Sequence, residues 1–213
     1  MLDICEIFSS IQGESTYQGL PCIFIRFSRC NLRCSYCDTT YSFESGKLFT
    51  VNEVIRYLKR EFDSIKLVEI TGGEPLLQKE LIPLIETLHY EGYKVLLETN
   101  GSLSLQDIPD YVVKIVDVKC PGSGEVDSFR IDNLSYLNEK DELKFVLTDY
   151  KDYLFAKEFI TKHQINTPII HFSPVLTSLS PATLAEWILK DRLNVRLHLQ
   201  LHKFIWSLDT RGV

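Results

Sequence analysis

Strand-like and helix-like segments alternate along most of the chain, and this alternation constrains the fold more than any other feature. Apolar and β-branched runs such as residues 22–27 and 67–70 have the composition of buried strands. Residues 50–62 have a helical pattern and open on the capping box Thr50-Val51-Asn52-Glu53. Such alternation is typical of a parallel sheet with right-handed crossovers.

The chain length sets a limit on how far this sheet can extend. A chain of 213 residues has too few strand–helix repeats for a closed eight-fold barrel. We therefore predict an α/β fold, a partial, open (β/α) barrel, formed as a single domain over residues 1–213. The predicted strands are residues 4–8, 22–27, 67–70, 94–98, 115–118, 143–147, 168–172 and 195–201, and residues 9–15 are predicted to form a polar loop. The predicted helices cover residues 50–62, 81–91, 150–163 and 181–190.

Unusual residues follow the carboxyl ends of the predicted strands. They are Cys30, Gly72, Asn100, Lys119 and Ser173. Parallel α/β folds place their active sites at this edge of the sheet. The sequence therefore predicts that several separate motifs meet in one pocket.

Three cysteines, Cys30, Cys34 and Cys37, lie within eight residues of one another. Three thiolates at this spacing indicate a metal or an iron–sulfur cluster. A structural zinc site usually has four protein ligands, and no fourth Cys or His lies nearby in the sequence. A four-iron cluster held by three cysteines leaves one iron open to a small molecule, and we favour this interpretation over a zinc site or a chance cluster.

Composition narrows the class of protein. The net charge is −6, which argues against a general nucleic-acid binder, and no run is long and apolar enough for a membrane span. The N-terminal residues lack the basic start and apolar middle of a signal peptide. We expect a cytoplasmic protein in which cysteines act as ligands and not as disulfides.

The cysteine spacing resembles that of radical S-adenosylmethionine (SAM) enzymes. The motif Thr-Gly-Gly-Glu-Pro at residues 71–75 resembles their Gly-Gly-Glu motif, although alone it would fit a plain strand-to-helix turn. The resemblance implies a [4Fe-4S] cluster on the three cysteines and SAM on its open iron, with Gly73 and Glu74 as SAM contacts. Reductive cleavage of SAM would give a 5′-deoxyadenosyl radical, so no side chain is predicted to be catalytic.

The flanking motifs resemble one family of radical SAM enzymes, the 7-carboxy-7-deazaguanine synthases. They are Ser-Ile-Gln-Gly-Glu at residues 10–14, Phe-Ile-Arg at 24–26 and Cys-Asp-Thr at 37–39. That family converts 6-carboxy-5,6,7,8-tetrahydropterin to 7-carboxy-7-deazaguanine in queuosine biosynthesis, with loss of ammonia and ring contraction. The resemblance implies a need for SAM, the cluster and Mg²⁺.

Substrate contacts are expected in the same motifs. A Gln and a Glu can read the donors and acceptors of a pterin edge, and an Arg can pair with its carboxylate. The predicted substrate-binding residues are Gln12, Gly13, Glu14, Arg26, Thr71 and Val213, the last two from the resemblance. Thr39 is the expected Mg²⁺ ligand by resemblance, although its residue type alone would more often cap a turn at Asp38.

Further SAM contacts are carried over from the resemblance. They are Tyr36, Asp38, Lys119, Cys120, Pro121, Ser173 and Pro174. Cys120 has an alternative interpretation as a buried core thiol, which we prefer to a fourth cluster ligand because a fourth thiolate would block SAM. The sequence departs from the family pattern at Ser15, where Gly often follows Gln-Gly-Glu, at Arg29 and at Tyr36.

The resemblance also implies partners. We expect a small-molecule pterin substrate, an external one-electron reductant and a homodimer, with no nucleic acid and no membrane. Two alternatives remain at this point: an activase that installs a glycyl radical on a partner enzyme, and a non-catalytic iron–sulfur or zinc module. The activase would not need Gln12, Glu14 and Arg26, and the closed module would leave the Gly-Gly-Glu turn unexplained.

The cysteine assignment makes the first testable prediction. Replacing one ligand, Cys34→Ala, removes a third of the thiolates that hold the cluster. After anaerobic reconstitution the variant should lose the brown colour and the iron content of the parent protein. A full complement of cluster iron in Cys34→Ala would contradict the assignment.

Overall fold

A nine-stranded sheet is the framework of the protein in this computed structural model, which describes residues 1–207 and 210–212. The strands are β1 (Leu2–Ile11), β2 (Pro21–Phe27), β3 (Lys47–Phe49), β4 (Leu67–Gly72), β5 (Lys94–Thr99), β6 (Val113–Asp117), β7 (Glu142–Leu147), β8 (Ile169–Pro174) and β9 (Arg196–Leu197). Their order across the sheet is β3-β1-β2-β4-β5-β6-β7-β8-β9. The two edges, β3 and β9, do not pair with each other, so the sheet stays open.

The sheet is parallel from β2 to β9, and an antiparallel pair extends it at the other side. Strand β2 pairs in parallel with β4, and each later strand pairs in parallel with the one before it. Strand β1 runs antiparallel to both β2 and β3. The predicted partial, open (β/α) barrel is confirmed.

Five α-helices accompany the sheet within residues 1–207 and 210–212. They are α1 (Val51–Glu61), α2 (Leu81–Tyr90), α3 (Tyr150–Lys162), α4 (Pro181–Asp191) and α5 (His202–Ile205). Helix α1 begins with the predicted capping box, because Thr50 and Glu53 bond to each other's backbone N–H groups. In the described residues, no helix is long and apolar enough to cross a membrane.

Two crossovers depart from the predicted alternation. The connection from β5 to β6 has no α-helix among its described residues, and the one from β6 to β7 contains short 3₁₀ turns at Pro121–Ser123, Val126–Ser128 and Ile131–Tyr136. The right-handed parallel arrangement needs only a connection across the sheet face, so short turns with buried Leu134 and Leu137 cover the sheet here.

The sequence misjudged the lengths of the first and last strands in the chain, β1 and β9. Strand β1 continues to Ile11 through the predicted polar loop, because its backbone pairs with β2 as far as Pro21. The predicted strand at residues 195–201 shrinks to Arg196–Leu197. Beyond it, the Leu201 N–H donates to Gly13 O at 2.8 Å, so this backbone bonds to a loop and not to a strand.

The two faces of the sheet have different compositions. One face packs against the helices in a large apolar core that includes Ile25, Ile70 and Phe145. The other face is apolar only near the amino ends of the strands, where residues such as Phe24 and Leu96 form a small second cluster. Two residues further along, the same face carries charged side chains, because side chains alternate with a period of two. The inner face therefore has an apolar base and a charged upper part.

A buried ion pair joins the starts of β6 and β7. Lys114 Nζ donates to Asp141 Oδ2 at 3.1 Å and to Tyr136 O at 2.8 Å. Asp141 also accepts the backbone N–H groups of Lys114 and Asn138 at 2.9 Å. Both side chains are almost inaccessible to water, so each charge depends on the other.

Breaking this pair should be costly. Lys114→Met leaves the buried Asp141 carboxylate with only the longer, partly exposed contact to Lys140 Nζ at 3.4 Å, and we expect a loss of about 3–5 kcal/mol in the free energy of unfolding. Urea denaturation measures the change. The control is Lys59→Met, which removes a half-exposed ion pair with Glu91 and should cost less than about 1 kcal/mol. Equal losses in the two variants would contradict the argument.

Candidate active site

A cavity of about 660 Å³ opens at the carboxyl ends of the parallel strands. It lies where the sequence predicted that the motifs would meet, and its size suits a cofactor together with a small substrate. The predicted site residues that line it are Gln12, Gly13, Glu14, Arg26, Cys30, Cys34, Tyr36, Cys37, Asp38, Thr39, Thr71, Gly73 and Lys119. Val213 lies outside the described residues. Lining the cavity places these residues together, and their individual roles stay predictions.

The cysteine loop follows β2 and forms one wall of the cavity. All three of its thiols are free and partly accessible, and the Cys37 N–H donates to Cys34 O at 3.2 Å in a tight turn. Cys30 Sγ accepts hydrogen bonds from Leu32 N at 3.4 Å and Asn100 Nδ2 at 3.7 Å. Burial raises the pKa of the Cys34 and Cys37 thiols.

These features fit a cluster with three cysteine ligands. Thiolate sulfurs are the usual ligands of iron–sulfur clusters, and N–H donors near a sulfur tune the cluster. The fourth nearby cysteine, Cys120, is fully buried and does not line the cavity. Its Sγ lies 3.8 Å from Val118 O. This placement matches the core-thiol interpretation of Cys120.

The Gly-Gly turn lies directly behind the cysteine loop. A Cβ atom added at Gly73 would lie 1.9 Å from Arg29 O, and the Gly73 N–H donates to Phe27 O at 3.0 Å. We expected these glycines to let the backbone approach a ligand. The structure shows a second reason, because the glycine at residue 73 also lets the cysteine loop pack against the end of β4.

Glu74 does not line the cavity and is fully buried. Its carboxylate accepts hydrogen bonds from Thr99 Oγ1 at 2.7 Å and from Asn100 N at 2.8 Å. Burial raises the pKa of Glu74, although these donors act in the opposite direction. The side chain therefore joins the ends of β4 and β5, and Asn100 in turn contacts Cys30.

The loop at residues 12–16 crosses the cavity opposite the cysteines. Gln12 donates its Nε2–H to Glu69 and accepts the Glu14 N–H on Oε1 at 3.0 Å, which fixes the orientation of its amide. Glu14 pairs with Lys144 Nζ at 2.5 Å and accepts from Gln200 Nε2 at 2.6 Å. Burial alone would raise the pKa of Glu14, but Lys144 and the other neighbours hold it well below its usual range.

Ser15 adopts a left-handed backbone conformation with φ of 60°. This conformation is uncommon for a residue with a Cβ and explains why the related pattern often has Gly here. The Ser15 N–H donates to His198 Nε2 at 2.8 Å, and burial lowers the pKa of His198 to about 4, so its ring is a neutral acceptor. Thr16 donates its N–H and hydroxyl to Glu142 at 3.0 and 2.6 Å.

Sequence analysis missed three charged residues at the base of the cavity: Glu69, Glu98 and Lys144. Lys144 Nζ donates to Glu98 Oε1 at 2.7 Å, and Thr71 Oγ1 donates to Glu98 Oε2 at 3.0 Å. Burial opposes the charge on Lys144, but Glu14 and Glu98 raise its pKa well above the usual value. The available signal was a charged residue at alternate positions within otherwise apolar strands.

Arg26 lines the cavity from the inner face of β2. Its Nε donates to Glu6 Oε1 at 2.8 Å, and Tyr41 donates its hydroxyl to the same oxygen at 2.8 Å. The guanidinium lies over the Phe8 ring at 5.9 Å. Arg26 therefore already forms a largely buried ion pair with Glu6 in the wall of the cavity.

The remaining predicted SAM contacts divide into two groups. Lys119 lines the cavity, donates to Asp117 Oδ2 at 2.6 Å, and lies 6.0 Å from the centre of the Tyr36 ring. The residues Pro121, Ser173 and Pro174 lie outside the cavity lining, like Cys120. After β8, residues 175–177 line the cavity instead, so the sequence located this part of the cavity lining to within a few residues.

The segment at residues 199–212 closes the cavity, as far as it is described. Gln18 Nε2 donates to Leu199 O at 2.7 Å, and Lys203 Nζ donates to Asp38 Oδ2 at 2.7 Å. A Cβ atom at Gly13 would lie 2.1 Å from His202 Nδ1, so the glycine lets the segment pack against the loop. This closing segment therefore contacts both walls of the cavity.

Comparisons with known proteins agree with this geometry. A model of the radical SAM superfamily matches residues 24–122. A 7-carboxy-7-deazaguanine synthase from Koribacter versatilis is 48% identical over 100% of both chains, and one from Chlorobaculum tepidum is 45% identical over 100% of this chain and 97% of its own.

Two solved structures are also similar. The crystal structure of QueE from Escherichia coli has a TM-score of 0.77 and 25% identity, and the match covers 94% of each chain. Streptococcus suis SuiB bound to S-adenosylmethionine has a TM-score of 0.57 at 14% identity, covering 83% of this chain and 51% of that one. The second likeness concerns the fold alone.

The packing of residue 73 against the cysteine loop leads to a prediction. Gly73→Ala places a methyl group against Arg29 O, so the loop must move and the thiols lose their arrangement. Iron content after reconstitution should fall well below that of the parent. The control is Gly92→Ala, whose added Cβ would meet no atom within 4 Å. Because Gly92 has a φ of 81°, this variant should lose about 1–2 kcal/mol of stability, but it should bind as much iron as the parent. Full iron in Gly73→Ala would contradict the packing argument.

Proposed function

Since the chain belongs to the 7-carboxy-7-deazaguanine synthase family of radical SAM enzymes, we propose that its cavity converts 6-carboxy-5,6,7,8-tetrahydropterin to 7-carboxy-7-deazaguanine. The reaction contracts a ring and releases ammonia, and it serves queuosine biosynthesis. One observation carries the proposal: the cysteine loop and the loop at residues 12–16 face each other across one cavity. A radical generated at one wall would meet a substrate held at the other.

The cysteine wall holds the cofactors in this proposal. When bound, a [4Fe-4S] cluster and SAM supply an electron and a carbon-centred radical that abstracts hydrogen. Cys30, Cys34 and Cys37 are the cluster ligands, and Asn100 donates to the Cys30 sulfur. SAM would lie along Gly73, Tyr36 and Lys119, which line the cavity, and the further proposed contacts are Asp38, Glu74, Cys120, Pro121, Ser173 and Pro174.

The opposite wall binds the substrate through hydrogen bonds and an ion pair in this proposal. The Gln12 amide and the Glu14 carboxylate have fixed orientations, so they can match a donor–acceptor pattern on a flat ring. Gly13 lies between them, and Thr71 offers a hydroxyl from β4. Arg26 bonds to Glu6 through Nε, which leaves its terminal nitrogens to bind the carboxylate of the substrate. Val213 is a proposed contact as well.

A magnesium ion is proposed at Thr39. Its hydroxyl lines the cavity and donates to Asp38 Oδ1 at 3.0 Å, so two oxygen groups lie together there. Mg²⁺ keeps several waters and needs few protein oxygens, which such a pair can provide. The second Asp38 oxygen accepts from the Lys203 ammonium, so Oδ1 is the carboxylate oxygen that lies beside the Thr39 hydroxyl.

The proposal also covers the domain organisation, the oligomeric state, the reductant and the location of the enzyme. We propose a single radical SAM domain over residues 1–213 that works as a homodimer and receives electrons from an external one-electron reductant. A cytoplasmic location would keep the three thiols reduced. The proposal includes no nucleic acid and no membrane among its partners.

Anaerobic turnover tests the function directly. The reconstituted, reduced protein with SAM and 6-carboxy-5,6,7,8-tetrahydropterin should release ammonia and form 7-carboxy-7-deazaguanine, which mass spectrometry detects. Failure to cleave SAM would contradict the radical chemistry and favour a non-catalytic module. Cleavage of SAM without conversion of the pterin would contradict the substrate and leave a glycyl-radical activase as the better explanation.

A further inference from the structure

Three carboxylates surround one ammonium at the base of the cavity. Glu14, Glu69 and Glu98 all line it, and Lys144 lies among them. Lys144 Nζ bonds to Glu14 at 2.5 Å and to Glu98 at 2.7 Å. Three ionised carboxylates beside one ammonium would leave an excess of negative charge in a largely buried site, which is unfavourable.

Glu69 is the carboxyl group that has no cation. In the described part of the chain, its side chain accepts a hydrogen bond from the Gln12 amide and from no other donor. The Gln12 amide cannot turn away, because its oxygen accepts the Glu14 N–H. Glu69 Oε2 is therefore an acceptor, and the side chain as a whole lines the cavity.

The other charged groups around the base are already paired. Arg26 on β2 binds Glu6, and Lys119 after β6 binds Asp117. His198 is neutral, and the nearby Cys22 thiol on β2 stays protonated because burial and Glu69 raise its pKa. On β7 and β8, Glu142 is bound by His171 and Thr16. None of these groups supplies a cation to Glu69.

Electrostatics agree with this arrangement. Burial raises the pKa of Glu69 well above its usual range, and the neighbouring charges of Glu98 and Glu14 raise it further. The Gln12 hydrogen bond and Lys144 act in the opposite direction but are outweighed. Protonation of Glu69 removes the excess negative charge at the lowest free-energy cost, because Glu14 and Glu98 stay ionised and keep their ion pairs with Lys144.

We propose that Glu69 carries a proton and is the general acid that delivers it to the nitrogen leaving as ammonia. This inference rests on the proposed function, in which a carbon–nitrogen bond must break. A protonated carboxyl next to ionised ones on the same wall can act as acid and base together. Glu69 would then be a catalytic residue that no sequence motif identified.

The proton and electron balance closes within the cavity. As the C–N bond breaks, its electron pair stays on nitrogen, which takes the Glu69 proton and leaves as ammonia. The new C=C bond takes its electrons from an adjacent C–H bond, whose proton passes to the Glu98 carboxylate. One carboxyl has lost a proton and one has gained it, so a proton shift between Glu98 and Glu69 restores the starting state.

Glu69→Gln is the main test, because the amide keeps the size and hydrogen bonding of the side chain but cannot give up a proton in this way. The reconstituted variant should release ammonia about 10²–10⁴-fold more slowly, with KM little changed. Deuterium from a ring-deuterated pterin should still enter the deoxyadenosyl group, because hydrogen abstraction precedes ammonia loss. Glu69→Asp keeps an acid and should recover part of the rate, while the exposed-site control Glu80→Gln should match the parent.

The pH dependence follows from the protonated state. Glu69 must hold its proton, so the parent kcat should fall as the pH rises through the raised pKa of Glu69. The slow residual rate of Glu69→Gln should lack this fall. Unchanged ammonia release in Glu69→Gln, or loss of deuterium transfer together with ammonia release, would overturn the proposal.

A measurement without cofactors separates this inference from the proposed function. Infrared difference spectra of the cofactor-free parent chain and Glu69→Gln should show a protonated-carboxyl C=O band that only the parent has. Absence of this band would overturn the protonated state of Glu69. If the band is present but the parent does not convert the pterin, the proposed function fails and the acid role fails with it, while the protonated carboxyl stands.

Discussion

The ammonium of Lys144 is the interaction on which the cavity depends. It lies on the inner face of β7 and bonds to Glu14 on the crossing loop and to Glu98 on β5. A buried charge of this kind is stable only when its partners stay in place, so the loop and the sheet position each other. The apolar base below it, formed by residues such as Phe24 and Leu96, excludes water from beneath the ion pairs. Electrostatic contacts inside this space are therefore stronger than they would be at a surface.

The cofactor wall is built on a different principle, close packing of backbone. Gly73 lets the cysteine loop approach the end of β4, and Glu74 joins that strand to the backbone of Asn100. Asn100 then contacts the sulfur of Cys30. A chain of neighbouring contacts thus connects the Gly-Gly-Glu turn to Cys30, a proposed cluster ligand. The motif serves the architecture of the site as well as any ligand that it binds.

The sequence was informative where a rule of parallel sheets applied. Residues after strand ends were expected to meet. Cys30, Gly72, Asn100 and Lys119 do line one cavity, whereas Ser173 lies outside its lining. It was less informative inside the strands, because a Glu or Lys at alternate positions has the same pattern as a solvent-facing side chain. Lys144 and Glu69 could be recognised only when the curvature of the sheet turned that face inward. The length of β1 was also misjudged, since this strand gains its last residues by pairing with β2, a tertiary contact that the local sequence does not show.

The closing segment has a consequence for biosynthesis. Lys203 bonds to Asp38 beside the cysteines, although the two residues are far apart in sequence. At ribosomal rates the cysteine loop is synthesised on the order of 10 s before the residues that cover it. During that interval the nascent chain lacks the residues that cover the thiols. The order of translation therefore leaves time for the cofactor to bind before the closing segment covers the cysteines.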